Sequence, residues 1–389
     1  MKLRKLLPAA MLMAAGLPAL AGSTQGQDHP WGWLPPNVNS GYGQVVDHLY
    51  LTIMWIVAIA FFLTEGALIA FMIAFRARPG RRATYFHGST AAELTWTVIP
   101  CAILVWIAVT QYEAWKDIRE RIPKDADACV VQVLANQFNW HFRHADKAGK
   151  FGTEESNLLT SSDQLHVPLN TKVVCKMTSK DVIHSFFLPM ARVKQDVVPG
   201  MLTRIWFEID RVPVWKVTRH EKRQLKDPVT GKVVPTDVLL GELVPLTEGE
   251  FNKVRVAMPS VWALDPDGKS GSWQPRLRWE HSTPDDTGQR ENYYAIGAQK
   301  TLYRVNGKFA EGDPKDAQYV FHYYEIACAE LCGLGHTGMR GQLYVEPADM
   351  YASWMAEKAI YGPTTEASKF VDLWDGVYSK EAWYIRGIR

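Results

Sequence analysis

The stretch Cys328-Ala329-Glu330-Leu331-Cys332-Gly333-Leu334-Gly335-His336-Thr337-Gly338-Met339 places two thiols, one imidazole and one thioether within twelve residues of a glycine-rich segment. Sulfur and imidazole donors favour copper or zinc over hard cations. The two cysteines alone would fit a disulfide equally well, since cysteine pairs outside the cytoplasm are usually oxidised. His336 and Met339 have no role in a disulfide, and a thioether is a better ligand for copper than for zinc. The segment therefore predicts a copper site, with zinc as the alternative.

Short runs of alternating apolar and polar residues lie on both sides of this segment and again earlier in the chain. Such runs, broken by Asn, Pro and Gly, are typical of an all-β sandwich or barrel. The runs cover residues 129–134, 202–209, 319–326 and 341–345. We predict an all-β sandwich that is interrupted by a long insertion and followed by an extension; these parts cover residues 129–350, 211–318 and 351–389 respectively.

The N-terminus has the pattern of an export signal. Residues 1–21 begin with basic side chains, continue as an apolar run and end in Ala19-Leu20-Ala21, whose small side chains suit signal peptidase. An uncleaved anchor helix is the alternative, but the apolar run is shorter than the about 20 residues that a bilayer requires. We expect residues 1–21 to be a signal peptide and residues 22–48 to be an exported segment.

Two further apolar stretches have the length of membrane-spanning helices. Residues 49–75 contain one acidic side chain, Glu65, and residues 94–112 contain no charged side chain. Buried helices of a soluble protein rarely lack charge over such lengths. A carboxyl group is costly in lipid, so Glu65 is expected to face another subunit. The connecting residues 76–93 carry four arginines, which predicts a cytoplasmic loop: Arg76, Arg78, Arg81 and Arg82.

This topology predicts a helical hairpin in a bacterial inner membrane, with both termini and the β domain on the periplasmic side. The whole chain carries 43 Lys and Arg against 41 Asp and Glu, a net charge of +2. Such a balanced chain has no one-sided field for phosphate, so nucleic acid is not an expected partner.

A family resemblance appears when the copper segment is taken together with Asp181-Val182-Ile183-His184-Ser185-Phe186-Phe187-Leu188-Pro189 and the following residues up to Gly200. A lone histidine among apolar residues is more often structural. The two stretches together, however, resemble subunit II of haem-copper cytochrome c oxidases, whose exported cupredoxin domain holds the dinuclear copper A centre. The resemblance implies six copper ligands: His184, Cys328, the backbone carbonyl of Glu330, Cys332, His336 and Met339.

The resemblance extends to the membrane part and to a second metal. His87 and the run Glu93-Leu94-Thr95-Trp96-Thr97-Val98-Ile99-Pro100 resemble the start of the family's second helix. This implies that Glu93, with His87 nearby, lies at the mouth of a proton-uptake path; an acid that only balances a helix dipole is the alternative. The side chain of Glu330 resembles a ligand to magnesium or manganese at the boundary with subunit I, since carboxylates prefer hard cations. An ordinary surface acid is the alternative there.

The chain departs from the family in two places. Where the family commonly has Gln-Trp-x-Trp, this chain has Gln137-Phe138-Asn139-Trp140. Electron entry is therefore expected at Phe138 and Trp140, with a docking geometry that differs from the usual one. The insertion lengthens the gap between His184 and Cys328, and its Trp, Tyr and Arg residues predict a contact with a partner. These residues are Trp215, Trp262, Trp273, Arg276, Arg278, Trp279, Tyr293 and Tyr294. Outside the motif, Cys129 and Cys175 could be core thiols or a disulfide.

Together these features predict the electron-entry subunit of an oxygen-reducing, proton-pumping oxidase. It would accept electrons from cytochrome c or a cytochrome c-bearing complex at a dinuclear copper centre and pass them to haem in subunit I. The haem groups and the reduction of oxygen would belong to partner subunits only. A membrane-tethered copper-binding or copper-delivery module is the alternative.

Overall fold

The structure is a computed structural model. The predicted signal peptide and most of the predicted C-terminal extension lie outside the residues that it describes. Those residues are 35–82, 85, 87–145, 151, 160–226, 233–255, 258, 261–264, 271–274, 294–295, 302–305, 308–311 and 318–361.

Two long helices come first. Helix α1 (Gly43–Ala74) has 32 residues and helix α2 (Thr90–Arg119) has 30, so each is about 45 Å long and can cross a bilayer. Ser89 caps the start of α2, because its Oγ accepts a hydrogen bond from the backbone N–H of Ala92 at 3.4 Å. No residue in the apolar windows of the two helices is buried in the isolated chain, as expected for lipid-facing surfaces.

Eighteen strands and two shorter helices follow in the described part of the chain. The strands are β1 (Cys129–Asn136), β2 (Asn139–His144), β3 (Thr160–Ser162), β4 (Gln164–Pro168), β5 (Lys172–Ser179), β6 (His184–Leu188), β7 (Val193–Val197), β8 (Thr203–Glu208), β9 (Val212–Lys226), β10 (Val233–Leu246), β11 (Val261–Leu264), β12 (Gly271–Gln274), β13 (Tyr294–Ala295), β14 (Leu302–Val305), β15 (Lys308–Glu311), β16 (Tyr319–Phe321), β17 (Tyr324–Cys328) and β18 (Arg340–Glu346). The helices are α3 (Glu248–Arg255) and α4 (Ala348–Tyr361).

Two five-stranded sheets form a cupredoxin-like sandwich. One has the strand order β3-β2-β1-β5-β8 and the other the order β4-β18-β17-β6-β7. The pairs β1–β5 and β4–β18 are parallel and the other pairs in these sheets are antiparallel. The sheets meet through aromatic side chains: Phe186 of the second sheet lies 5.5 Å from Trp140 and 6.5 Å from Phe142 of the first, between ring centroids. All three are fully buried, so the core lies between the two sheets.

Part of the predicted insertion is built into the fold. Strands β9 and β10 form a long hairpin, and β9 also pairs with β16. Helix α3 follows the hairpin and buries Phe251 in the same core as the sandwich. We call the paired segments of β9, β10 and β16, together with α3, the insertion base.

The expectation that Trp215 of the insertion contacts a partner is wrong. Only 3% of the Trp215 surface is exposed, and its ring stacks on His322 at 5.0 Å between centroids. Its ring is covered from within the chain, by His322 and by the backbone at Gly241, so it is not available to a partner. Four other residues named by the same pattern, Arg276, Arg278, Trp279 and Tyr293, lie outside the described residues.

The membrane helices are tied directly to the sandwich. Near the start of α1, Asp47 accepts a hydrogen bond from Arg192 Nε at 2.5 Å, and both side chains are mostly buried. Near the end of α2, the Trp206 indole donates to the carbonyl of Asp117 at 2.9 Å and Arg119 bonds Gln195. The start of α1 and the end of α2 are therefore both fixed against the β domain.

Cys129 and Cys175 are free thiols in this structure. Burial raises the pKa of each of them. The Cys129 Sγ lies 3.5 Å from the hydroxyl of Tyr351 on α4. Both cysteines therefore serve as core thiols in this structure.

Candidate metal centre

The copper segment connects two neighbouring strands of one sheet. Cys328 is the last residue of β17, and Met339 directly precedes β18. The backbone N–H of Cys328 donates to the carbonyl of Met339 at 3.2 Å, which closes the segment into a loop. His184 begins β6, which pairs with β17 so that Cys328 lies opposite Phe186. We call residues 328–339 the copper loop.

All six predicted copper ligands lie in one cluster. The Sγ atoms of Cys328 and Cys332 are 3.9 Å apart. Each thiol faces one imidazole: His184 Nδ1 lies 3.9 Å from the first sulfur, and His336 Nδ1 lies 3.5 Å from the second. Two further donors complete the set, since Met339 Sδ is 3.8 Å from Cys332 Sγ and the Glu330 carbonyl oxygen is 3.3 Å from Cys328 Sγ.

The cluster faces the interior of the domain. His184 and Met339 are fully buried and Cys332 is 4% exposed. Leu331 and Leu334 of the same loop point outward and are 79% and 105% exposed. His184, Cys332 and Met339 are therefore kept away from bulk water, Cys328 and His336 are half-buried, and the loop presents apolar side chains to the outside.

Asp181 orients the first histidine. Its Oδ1 accepts a hydrogen bond from His184 Nε2 at 2.9 Å, which leaves Nδ1 as the free lone pair on the side of the thiols. The other carboxylate oxygen accepts from the backbone N–H of Gln137 at 2.6 Å. This carboxylate therefore fixes the orientation of one ligand and also holds the β1–β2 turn.

That turn covers the copper loop. Gln137 Nε2 donates to the carbonyl of Cys332 at 2.6 Å. The Phe138 ring lies flat against Gly335, where an added Cβ would come within 2.5 Å of ring carbon Cδ2. Gly333 has φ +128°, a backbone conformation that side chains rarely adopt. Two glycines of the loop are thus required, one by the backbone and one by the close ring.

The two thiols interact strongly. Burial raises the pKa of the Cys328 thiol, but hydrogen bonds, first from His184, outweigh burial and bring this pKa below its usual value. Burial and the negative charge of Cys328 raise the pKa of Cys332. Two thiolates at this separation repel each other, so both ionise together only when a cation lies between them. This donor set, two thiols with two imidazoles and a thioether, fits copper.

The remaining predicted site residues lie elsewhere. Glu93 is exposed in the first turn of α2, about 40 Å along that helix from the turn that contacts the β domain. His87 precedes the helix, with its ring 4.7 Å from that of Tyr85. The Glu330 carboxylate is exposed, while its carbonyl faces the cluster. Within the described part of the chain, one group of three His, Cys, Asp or Glu side chains is close enough to share a metal ion: His184, Cys328 and Cys332.

Phe138 and Trp140 occupy different layers beside the copper loop. Phe138 is half-buried at the surface, and Trp140 is fully buried with its ring centroid 6.2 Å from that of His184.

Sequence reasoning missed the roles of Asp181 and Gln137. The position of Asp181, three residues before a candidate ligand, was the available sign, but the contact of Gln137 with Cys332 joins residues far apart in sequence.

Fold and site define a membrane-anchored, cupredoxin-like protein with a candidate metal centre made of sulfur and imidazole donors. Residues 30–113 match the family model described as "Cytochrome C oxidase subunit II, transmembrane domain", and residues 130–221 match "Cytochrome C oxidase subunit II, periplasmic domain". Both matched segments are thus similar to the cytochrome c oxidase subunit II family. The second match ends before the copper loop, which lies beyond the insertion.

Relatives carry the same family name. The cytochrome c oxidase subunit 2 of Alkalihalophilus pseudofirmus is 28% identical over 177 residues, which cover 44% of this chain and 48% of that protein. The alternative cytochrome c oxidase subunit 2 of Bradyrhizobium diazoefficiens is 27% identical over 212 residues, covering 48% and 73%. The chain thus spans about half the length of the first of these relatives.

One solved structure is also similar in part to this chain. The periplasmic domain of subunit II of cytochrome oxidase from Bradyrhizobium japonicum matches with a TM-score of 0.28 and 16% identity, covering 62% of this chain and 99% of that one.

Proposed function

We propose that this chain is the copper-bearing, electron-entry subunit of a cytochrome c oxidase. The observation that carries the proposal is the cluster of six donors, in which two thiols 3.9 Å apart each face one imidazole. The residues that would hold two copper ions are His184, Cys328, Glu330 through its carbonyl, Cys332, His336 and Met339. The bound metal pair would supply a one-electron redox centre.

The residues of the chain hold this site rigid and dry. His184 begins β6, Cys328 ends β17 and Met339 directly precedes β18, so the sheet fixes three of the six ligand positions. Asp181 fixes the ring of His184, and Gln137 fixes the carbonyl of Cys332. A site that changes little between two oxidation states transfers electrons with little reorganisation, and such outer contacts are what maintain it.

Electrons would enter the site through the surface near Phe138 and leave it toward subunit I. Cytochrome c, or a cytochrome c-bearing complex, would dock near Phe138, with Trp140 between that surface and His184. Haem in subunit I would receive the electrons, and oxygen reduction with proton pumping would occur in partner subunits. The exposed carboxylate of Glu330 would join ligands of subunit I around a magnesium or manganese ion, since the described residues near it form no complete site of their own.

The membrane part would supply the proton-uptake end of the complex. Glu93 and His87 lie at the end of α2 opposite to the β domain. With the β domain in the periplasm of a bacterium, both residues would lie at the cytoplasmic side of the inner membrane, where protons are taken up. The boundaries predicted from the sequence, including a cleaved signal peptide at residues 1–21, are part of the same proposal.

A copper-delivery module is disfavoured by burial. Delivery requires ligands that exchange metal with a partner, and therefore exposed donor atoms. Here His184 and Met339 are fully buried and Cys332 is 4% exposed. The site is suited to retaining its metal.

The test is the metal content and spectrum of the complex purified from native membranes. We expect two copper ions per chain at this site and an electron paramagnetic resonance signal from one unpaired electron shared by both. Cys328→Ser and Cys332→Ser should abolish that signal, whereas the matched control Cys129→Ser, a cysteine outside the copper loop, should retain it. A single copper with an ordinary one-ion signal, or one zinc per chain, would contradict the proposal.

A further inference from the structure

Glu65 is an acidic side chain near the middle of a membrane-spanning helix. The apolar stretch runs from residue 49 to residue 75, so its midpoint is residue 62. At a rise of about 1.5 Å per residue, Glu65 lies about 5 Å from that midpoint along the helix axis. The hydrocarbon core of a bilayer extends about 15 Å to either side of its centre, which is too far for a glutamate side chain to reach water.

The chain itself offers Glu65 no counter-charge at this depth. Residues 49–75 and 94–112 contain no Lys, Arg or His. Among the described residues, no side chain or backbone group forms a hydrogen bond or ion pair with the Glu65 carboxyl group. Its neighbours one turn away on the helix are large apolar side chains that are 50–73% exposed: Phe61, Phe62, Leu68 and Ile69.

A carboxyl group in hydrocarbon without a partner costs several kcal/mol, whether it is ionised or neutral. The partner must therefore come from another chain. The apolar side chains around Glu65 would exclude lipid from such a contact, as the contacts that surround an interface hot spot exclude water. Gly66 lies beside it, and a Cβ at that position would meet nothing within 4 Å, so a second helix can approach closely there.

We propose that the Glu65 face of α1 binds a membrane-spanning helix of a neighbouring subunit that presents a hydrogen-bond donor or a cation at the same depth. The inference rests on the proposed membership of an oxidase complex, but it concerns assembly and not the copper site. Phe61, Phe62, Leu68 and Ile69 form the apolar surround, and Glu65 selects the partner helix and its register.

Whether substitution of Glu65 destabilises or stabilises the complex separates this proposal from a Glu65 that faces lipid. With a partner donor in place, Glu65→Leu leaves that donor unpaired and shortens the lifetime of the complex. With lipid around Glu65, the same change removes a costly group and stabilises the subunit. Thr64→Val is the matched control, because Thr64 Oγ1 already donates to the carbonyls of Ala60 and Phe61 at 2.9 Å within its own helix.

The experiment measures how long the complex, purified from native membranes, keeps its subunits in detergent. We expect Glu65→Leu to shorten the half-life about threefold to twentyfold, the range for a polar contact between membrane helices. Thr64→Val should match the unaltered chain. Glu65→Gln identifies the donor: a half-life near that of the unaltered chain indicates a neutral donor, and one like that of Glu65→Leu indicates a cation.

Two results would overturn the proposal. The first is a Glu65→Leu complex that is as durable as the unaltered one, or more durable. The second is an oxidative dimer of this chain formed by Glu65→Cys in a Cys101→Ser background, which would assign the face to a second copy. Copper content is expected to be the same in all variants, so a failure of the copper proposal would be seen separately.

Discussion

The copper loop and the insertion base are both attached to the same sandwich, yet they are held together in different ways. The copper loop is short and several of its residues are exposed. A hydrogen bond from Gln137 holds its backbone at Cys332, and Asp181 orients His184 beside it. The insertion base is held by buried rings, with Trp215 stacked on His322 and Phe251 in the core. The first region is thus organised for chemistry and the second for stability, and substitutions should separate the two.

Trp215→Ala should have the largest effect on stability. The ring is buried, and removing a buried aromatic side chain costs about 3–5 kcal/mol in free energy of unfolding. Chemical denaturation of the full chain in detergent measures this loss, and the exposed neighbour Lys216→Ala is the control. Folded Trp215→Ala protein should still bind copper with an unaltered spectrum. Loss of the copper signal from folded protein would show that the two regions are not independent.

His322 should make the stability of the insertion base depend on pH. Burial lowers its pKa to about 4, against about 6.5 in an unfolded chain. The unfolded chain therefore takes up the proton first as pH falls, so the contribution of His322 is complete above pH 6.5 and is lost between pH 6.5 and pH 4. The loss amounts to about 3 kcal/mol.

His322→Gln isolates this effect, because glutamine has no group that titrates in that range. The measurement is the free energy of unfolding of both chains at several pH values from 7 to 4. The difference between the chains should shrink as pH falls below 6.5. Parallel curves for the two chains would mean that His322 is not held neutral by burial.

The same contrast explains how much could be predicted from the sequence. The membrane helices could be predicted because a bilayer requires one long uninterrupted apolar run for each helix. The donor cluster on the loop could be predicted because four of its donor side chains lie within twelve residues, and donor chemistry limits the metals. The carbonyl of Glu330 required the family resemblance. So did His184, since nothing local distinguishes it from a structural histidine.

The insertion base could not be predicted in this way. Trp215 looks the same in sequence whether it packs in a core or contacts a partner. Its burial depends on the pairing of β9 with β16, which joins residues about 100 positions apart. The same limit applies to Gln137 and Cys332, because a hydrogen bond between distant loops leaves no periodic pattern in the sequence.

Gly335→Ala should have a smaller effect than either change at the insertion base, and it should act on the copper site. The backbone of Gly335 has φ −91°, which any residue can adopt, so the cost comes only from space. The new Cβ would lie 2.5 Å from Phe138 Cδ2, and the ring or the loop must move. Because Phe138 is half-buried at the surface, we expect a cost of about 1–2 kcal/mol, at the lower end for an overpacked site. Copper should be retained with a shifted visible spectrum, since the loop carries four of the side chains in the donor cluster.

Gly338→Ala is the matched control, because a Cβ there would meet nothing within 4 Å. The double variant Gly335→Ala/Phe138→Ala should recover the original spectrum, since it removes the ring that the new methyl group displaces. If Gly335→Ala and Gly338→Ala gave the same spectrum as the unaltered chain, the packing of Phe138 would have no part in setting the geometry of the copper loop.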